Sequence, residues 1–316
     1  MTEPIGPCSA GINRAQLLRV TAAAALSAAL GPGALAATAA TQEGQMLKRK
    51  IPSTGDLLPV VGCGTWQGFG HAPGSAEYVR LPGVVEALFD AGGTVLDSSP
   101  MYGRSEKTTG ELLAKSIHRT KAFLATKVWT SGREAGIRQM EASMSLLGTN
   151  KLDLMQVHNL VDWQTHLATL REWKKQGKVR YVGITHYTSS AFREVEAVLR
   201  REPLDFLQIN YAVDDQSAAE TLLPLAMDKG VAVLINQPFG GGGLLRGLRE
   251  RPLPDWAQEI GCTSWAQVLL KFVLSNPAVT CVIPGTSRPE HMPDNAQAGM
   301  GVMPEPSFWR QRSLGI

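Results

Sequence analysis

Short apolar runs recur eight times along the chain, over 60–63, 94–96, 122–126, 152–157, 179–184, 206–209, 231–235 and 280–283. Between them lie amphipathic helical segments, over 106–117, 134–147, 164–176, 190–200, 218–229 and 264–275. No linker, charge block or low-complexity stretch interrupts residues 46–316. Apolar strands alternating with helices build a parallel sheet covered by the helices. Eight such units without a break predict one α/β domain, a (β/α)8 TIM barrel, over 41–316. An N-terminal β-hairpin is expected ahead of it, pairing 46–51 with 57–61 around the turn Ser53-Thr54-Gly55-Asp56. The alternative is an open doubly wound sheet, but no G-x-G-x-x-G follows an early strand. The glycine run at 240–243 also lacks the Lys-Ser/Thr ending of a phosphate loop.

A barrel gathers its chemistry where strands end. Asp97, Lys127 and His158 close three successive strand candidates, and Tyr102 lies five residues past Asp97, on the following loop. A phenol donates a proton near neutral pH only if its pKa is drawn down from about 10. A nearby ammonium does that, and a carboxylate holds the ammonium in place. Singly, each residue has an ordinary reading: Tyr102 packing a loop, Lys127 and Asp97 as a structural ion pair, His158 as a core histidine. As an ordered set at strand ends they describe a proton donor, the cation that tunes it, that cation's counter-charge and a polarising imidazole.

This set resembles the catalytic tetrad of the aldo-keto reductase family. Other segments share the resemblance: Gly103-Arg-Ser-Glu106, Gly177-Lys-Val-Arg-Tyr-Val-Gly-Ile184, Gln208-Ile-Asn-Tyr211, and Val282-Ile-Pro-Gly-Thr-Ser-Arg-Pro-Glu290 leading to Asn295. The resemblance runs from about Leu58 to the C-terminus. It implies an oxidoreductase that reduces aldehydes or ketones to alcohols, or the reverse. It also implies a nicotinamide dinucleotide across the barrel mouth, NADP with NAD as the alternative. Thr185, His186 and Gln208 would then hold the carboxamide. The nicotinamide ring would lie near Asn236, Pro238 and Phe239. Thr286, Ser287 and Arg288 would take the ribose phosphate, and Asn295 the adenine.

Three departures stand out. His186 replaces the family's usual Asn, and Asn236 occupies the position of the stacking aromatic, with Phe239 displaced by three. Gly285 and His291 stand where relatives carry Lys and Arg, so the phosphate charge falls to Arg288. These departures keep a second function open, a nicotinamide-binding sensor or accessory subunit with little turnover. Trp66, Phe69 and Trp129 follow strand ends. They either line an apolar pocket for a small carbonyl substrate or pack the loops.

Other partners and cofactors find little support. Formal charge is +3 with basic residues scattered, which argues against nucleic acid. Only His158 among the histidines ends a strand, so no metal cluster is expected. Cys8, Cys63, Cys262 and Cys281 form no C-x-x-C pair and read as core residues. Residues 1–40 differ from the rest, with Arg14 to Arg19 preceding an alanine-rich run that ends at Ala40. That pattern fits a periplasmic export signal of twin-arginine type, with Ala15 in place of the second arginine. The alternative is a disordered alanine-rich extension of a cytoplasmic protein. The run is too weakly apolar for a membrane span, and oligomeric state has no signature in this pattern.

Overall fold

Residues 1–2, 44–312 and 314 are described in the computed structural model of this chain. The export segment and Cys8 therefore lie outside the described residues, apart from Met1 and Thr2. Strands β1 (Lys48–Lys50) and β2 (Leu57–Pro59) form an antiparallel hairpin with Arg49 opposite Leu58. Then come β3 (Cys63–Gly64), β4 (Val95–Asp97), β5 (Phe123–Val128), β6 (Leu152–His158), β7 (Val179–Thr185), β8 (Phe206–Asn210), β9 (Ala232–Asn236) and β10 (Val279–Val282). Each pairs in parallel with the next in a single 8-stranded sheet. Parallel bridges from Val61 to Val282 and from Gly64 to Gly285 join its edges, which makes a (β/α)8 barrel. Glycine is needed at this seam, because a Cβ on Gly64 would sit 2.8 Å from the Ile283 carbonyl oxygen.

The helices are α1 (Ala76–Asp90), α2 (Ser105–Leu113), α3 (Arg133–Leu147), α4 (Trp163–Lys175), α5 (Phe192–Arg201), α6 (Leu222–Asp228), α7 (Gly243–Leu248), α8 (Trp265–Ser275), α9 (His291–Gln297) and α10 (Pro306–Arg310). The sequence pattern missed α1, which carries Pro82 and Gly83 in its interior. Ser75 caps it, accepting the Tyr78 N–H at 3.2 Å. The first strand is shorter than expected. The Val60 N–H goes to the Leu47 carbonyl, while the Val60 carbonyl and the Gly62 N–H bond Val282 across the seam.

Two apolar clusters divide by strand alternation. Leu124, Val128, Met155, Val157, Val182, Ile184, Leu207 and Ile209 face outward to the helices. Phe123, Ala125, Leu154, Tyr181, Phe206, Ala232 and Leu234 face the barrel axis. Ile51 and Leu58 of the hairpin join this inner cluster, so the hairpin stops the bottom of the barrel. Arg49 holds the hairpin in place by donating to the carbonyls of Leu274, Asn276 and Val279 at the end of α8. The three described cysteines, Cys63, Cys262 and Cys281, are buried and free. Among the described residues no helix is long and apolar enough to cross a membrane.

Candidate active site

The same alternation that fills the barrel floor with Phe123, Tyr181 and Phe206 turns Lys127, Gln156, His158, Thr185, Gln208 and Asn236 inward, one or two steps higher. Asp97 also turns inward, paired on β5 with Ala125, one inward step below Lys127. A polar layer thus rests on an apolar plug at the C-terminal end of the sheet. Backbone strain gathers at the same end. Gln67, Asn159, Leu160, Asp162 and Gln237 are the non-glycine residues with positive φ among the described residues, and all lie on loops that follow strands.

Lys127 Nζ donates to Asp97 Oδ1 at 2.6 Å and to the Ser98 carbonyl at 2.6 Å. Both side chains of the pair are almost wholly buried, at 1% and 3% exposed. The same Nζ lies 5.0 Å from the centre of the Tyr102 ring. Burial opposes the charge on Lys127, but Asp97 and then Tyr102 outweigh it, so its pKa stands above the ordinary lysine value. Tyr102 does not behave as its sequence context predicts. Burial raises its pKa more than Lys127 lowers it, and Asp97 adds to the rise, so the phenol stands above its ordinary value. The ammonium acts in the expected direction and is outweighed by desolvation.

His158 presents its ring edge-on to Tyr102, with centroids 5.9 Å apart. Burial, then the charges of Lys127 and His186, push its pKa down to about 2. The imidazole is therefore neutral and polarises by hydrogen bonding, not by charge. Its Nδ1 is 3.0 Å from Ser99 Oγ. Asp97, Tyr102, Lys127 and His158 thus meet in one cluster.

The cofactor candidates are placed less uniformly. Thr185 ends β7, level with His158 on one side and Gln208 on the other. His186 follows it, half-buried, and its Nδ1 accepts the backbone N–H groups of Tyr187 and Thr188 at 3.1 and 3.3 Å. That leaves Nε2 as its donor. Gln208, expected at the carboxamide, is engaged below it, donating to Asp97 Oδ1 at 3.0 Å. Asn236 donates to the His186 carbonyl at 3.1 Å. Pro238 and Phe239 are buried. Phe239 packs in the outer apolar cluster. Thr286 Oγ1 accepts the Arg288 N–H at 3.0 Å, Ser287 is half-buried beside it, and the Arg288 side chain is exposed, with no ion-pair partner among the described residues. Asn295 is buried on α9.

The mouth offers unused acceptors to a dinucleotide at one place. Asn210 Oδ1 and Asn236 Oδ1, on adjacent strands, are buried acceptors without a partner. Each amide is oriented by what its N–H2 faces, Asp215 for Asn210 and the His186 carbonyl for Asn236. Both oxygens are thus free for a carboxamide N–H or a ribose hydroxyl. Just past β9, Gly240, Gly241 and Gly242 all have positive φ, and the N–H groups of Gly240 and Gly242 are taken by the Gln237 and Phe239 carbonyls at 3.0 and 2.9 Å.

Around the opening, Trp66, Met101, Trp129 and Tyr187 are large apolar side chains left exposed. Phe69 does not join them. It is 0% exposed in the outer core, so its ring packs the loop and cannot line a pocket. The chain past Gly299 is tied to α8 through Lys271, which donates to the carbonyls of Met300 and Val302.

The model of the aldo/keto reductase family matches residues 60–311 of this sequence. The chain belongs to that family. Methylglyoxal reductase YeaE of Escherichia coli (strain K12) is 30% identical over 260 residues, which cover 79% of this chain and 89% of that protein. An aldo/keto reductase from Klebsiella pneumoniae, solved with NADP and acetate, superposes with a TM-score of 0.69 at 26% identity. It covers 81% of this chain and 91% of its own. A second aldo-keto reductase structure from that organism, solved with NADPH, gives a TM-score of 0.71 at 25% identity over 84% and 94% of the two chains. Against this aldo/keto reductase background, the sequence reading passed over Gln156, Ser99, Met101 and Tyr187. Period-two counting back from His158 and forward from Asp97 picks out the first two.

Proposed function

We propose that the protein is an NADP-dependent carbonyl reductase in which Tyr102 gives the proton to the substrate oxygen. The observation that carries this reading is the buried Lys127–Asp97 pair at 2.6 Å with its ammonium 5.0 Å from the Tyr102 ring. Reduced nicotinamide, when bound, supplies the hydride to the carbonyl carbon. Asp97 keeps Lys127 charged, and Lys127 stabilises the phenolate that Tyr102 becomes once its proton has left. His158, neutral, donates to the substrate oxygen as negative charge builds on it. Asn210, Asn236 and His186 would hold the nicotinamide end, and Arg288 with Thr286 and Ser287 the ribose phosphate. The exposed rim of Trp66, Met101, Trp129 and Tyr187 favours aldehydes and ketones with an apolar or aromatic body. The Klebsiella relatives' NADP and NADPH, and the YeaE name, support the same reading.

The test is a fluorescence titration of the protein with NADPH and with NADH, followed by turnover of methylglyoxal and 4-nitrobenzaldehyde. Tight NADPH binding with turnover that disappears in Tyr102→Phe is the expected result. Binding without turnover would make the chain a nicotinamide sensor instead. Binding of neither cofactor would reject both readings.

A further inference from the structure

Gln156 lies two residues before His158 on β6 and shares its inward face, yet it belongs to neither the proton-transfer set nor the cofactor contacts described above. It is fully buried. Its Nε2 donates to Asp97 Oδ2 at 3.3 Å and to Gln208 Oε1 at 3.0 Å. Gln208 Nε2 in turn donates to Asp97 Oδ1 at 3.0 Å, the oxygen that also receives Lys127 Nζ. Donors from three strands, β5, β6 and β8, therefore converge on one carboxylate. Turning the Gln156 amide over would set its oxygen against Asp97, so electrostatics fixes its orientation. The arrangement leaves Gln156 Oε1 buried and unpartnered, which works against stability. An apolar side chain of the same length would fill the space without that penalty.

We propose that Gln156 is a positioning residue of the proton-transfer set, occupying Asp97 directly and through Gln208 so that Asp97 presents less of its charge to Lys127 and Tyr102. The proposal rests on the reading of Tyr102 as the proton donor. Hydrogen bonds to a carboxylate disperse its negative charge. Charge left undispersed on Asp97 binds the ammonium more firmly and repels a developing phenolate, and both effects make Tyr102 a weaker acid. The other groups facing Tyr102 and Lys127 leave that effect visible. His158 from β6 and His186 from the loop after β7 are both held below the ordinary histidine pKa, chiefly by burial, which favours their neutral forms. Glu106 from α2 is the remaining buried carboxyl. It accepts from Thr126 on the outward side of β5, away from the barrel interior.

The test reads Tyr102 itself. The full chain is labelled with tyrosine carrying carbon-13 at Cζ, and the Tyr102 signal is assigned by its loss in Tyr102→Phe. Its titration is then followed in wild type, Gln156→Leu, Gln156→Met and Gln156→Glu. Removing the donor is expected to raise the Tyr102 midpoint by about half a unit to one unit in the Leu and Met variants. Gln156→Glu, which adds a second carboxylate, raises it further. A purely structural role lowers stability and leaves the midpoint where it was. An unchanged midpoint in whichever of the Leu and Met variants folds overturns the proposal. So does a Tyr102 signal that stays at the phenol position up to alkaline unfolding in every form. Full turnover by Tyr102→Phe would instead remove the underlying reading, and the two failures are distinguishable because the titration needs no substrate.

Discussion

Ser99 Oγ stands 3.0 Å from His158 Nδ1 and also accepts the Met101 N–H at 3.4 Å. When the Ser99 hydroxyl donates to Nδ1, the hydrogen of the neutral imidazole sits on Nε2. The neutral ring then offers one donor to a substrate oxygen. A histidine held at about pKa 2 in the fold and near its ordinary 6.5 when unfolded binds a proton only on unfolding between those values. Unfolding is thus favoured as pH falls below about 6.5, by up to about 1.4 kcal/mol per pH unit from this group. Wild type is expected to lose stability between pH 6.5 and 4 faster than His158→Gln, which carries no proton in either state. Urea unfolding across that range checks it, and parallel curves would refute the neutral assignment.

Breaking the Lys127–Asp97 pair one partner at a time leaves an uncompensated charge at the centre of the barrel. Asp97→Asn and Lys127→Met should each destabilise by about 3–5 kcal/mol. The double variant should recover part of that loss, because neither charge then remains buried. Chemical denaturation of the four forms gives the coupling directly. A double variant as unstable as the sum of the singles would mean that the two residues do not depend on each other. Lys127→Met also removes the group that pulls the Tyr102 pKa down, so it should abolish turnover even where the protein remains folded.

The barrel was legible because its strands are buried on both faces and stand out as apolar runs separated by amphipathic helices. The cluster of Asp97, Tyr102, Lys127 and His158 was legible because Asp97, Lys127 and His158 interrupt such runs at their ends. Helix α1 was hidden by Pro82 and Gly83, whose local cost is offset by burying Leu81, Val84, Val85, Leu88 and Phe89. The packing of Phe69 and Phe239 was not legible for a related reason. An aromatic just past a strand reads the same whether its ring turns into the mouth or back under the loop, and tertiary packing alone decides. The engagement of Gln208 with Asp97 joins strands that are far apart in sequence, so no local pattern announces it. The balance at Tyr102 likewise depends on how much water the folded mouth excludes, a quantity that spacing does not encode.

Arg288 is exposed and without an ion-pair partner among the described residues, on the loop proposed to take the ribose phosphate. Replacing it with Ala removes a charge-assisted contact to that phosphate and nothing from NADH. A loss of about tenfold or more in NADPH affinity is expected, with NADH within about twofold. Equal losses for the two cofactors would place the phosphate elsewhere.

Trp66 and Trp129 are the largest side chains of the exposed rim, at 50% and 42% exposed. Each has apolar surface that a substrate ring can cover. Truncating either to Ala should cost about 1–1.5 kcal/mol of binding, roughly a tenfold rise in KM for 4-nitrobenzaldehyde. Methylglyoxal is too small to cover the same surface, so its KM should change by about twofold at most. Neither residue touches the Lys127–Asp97 pair, and kcat should hold for both substrates. Steady-state kinetics of the two variants with the two aldehydes makes the comparison. A uniform fall in kcat would mean that the tryptophans support the loops that carry Tyr102 and Lys127, not the substrate.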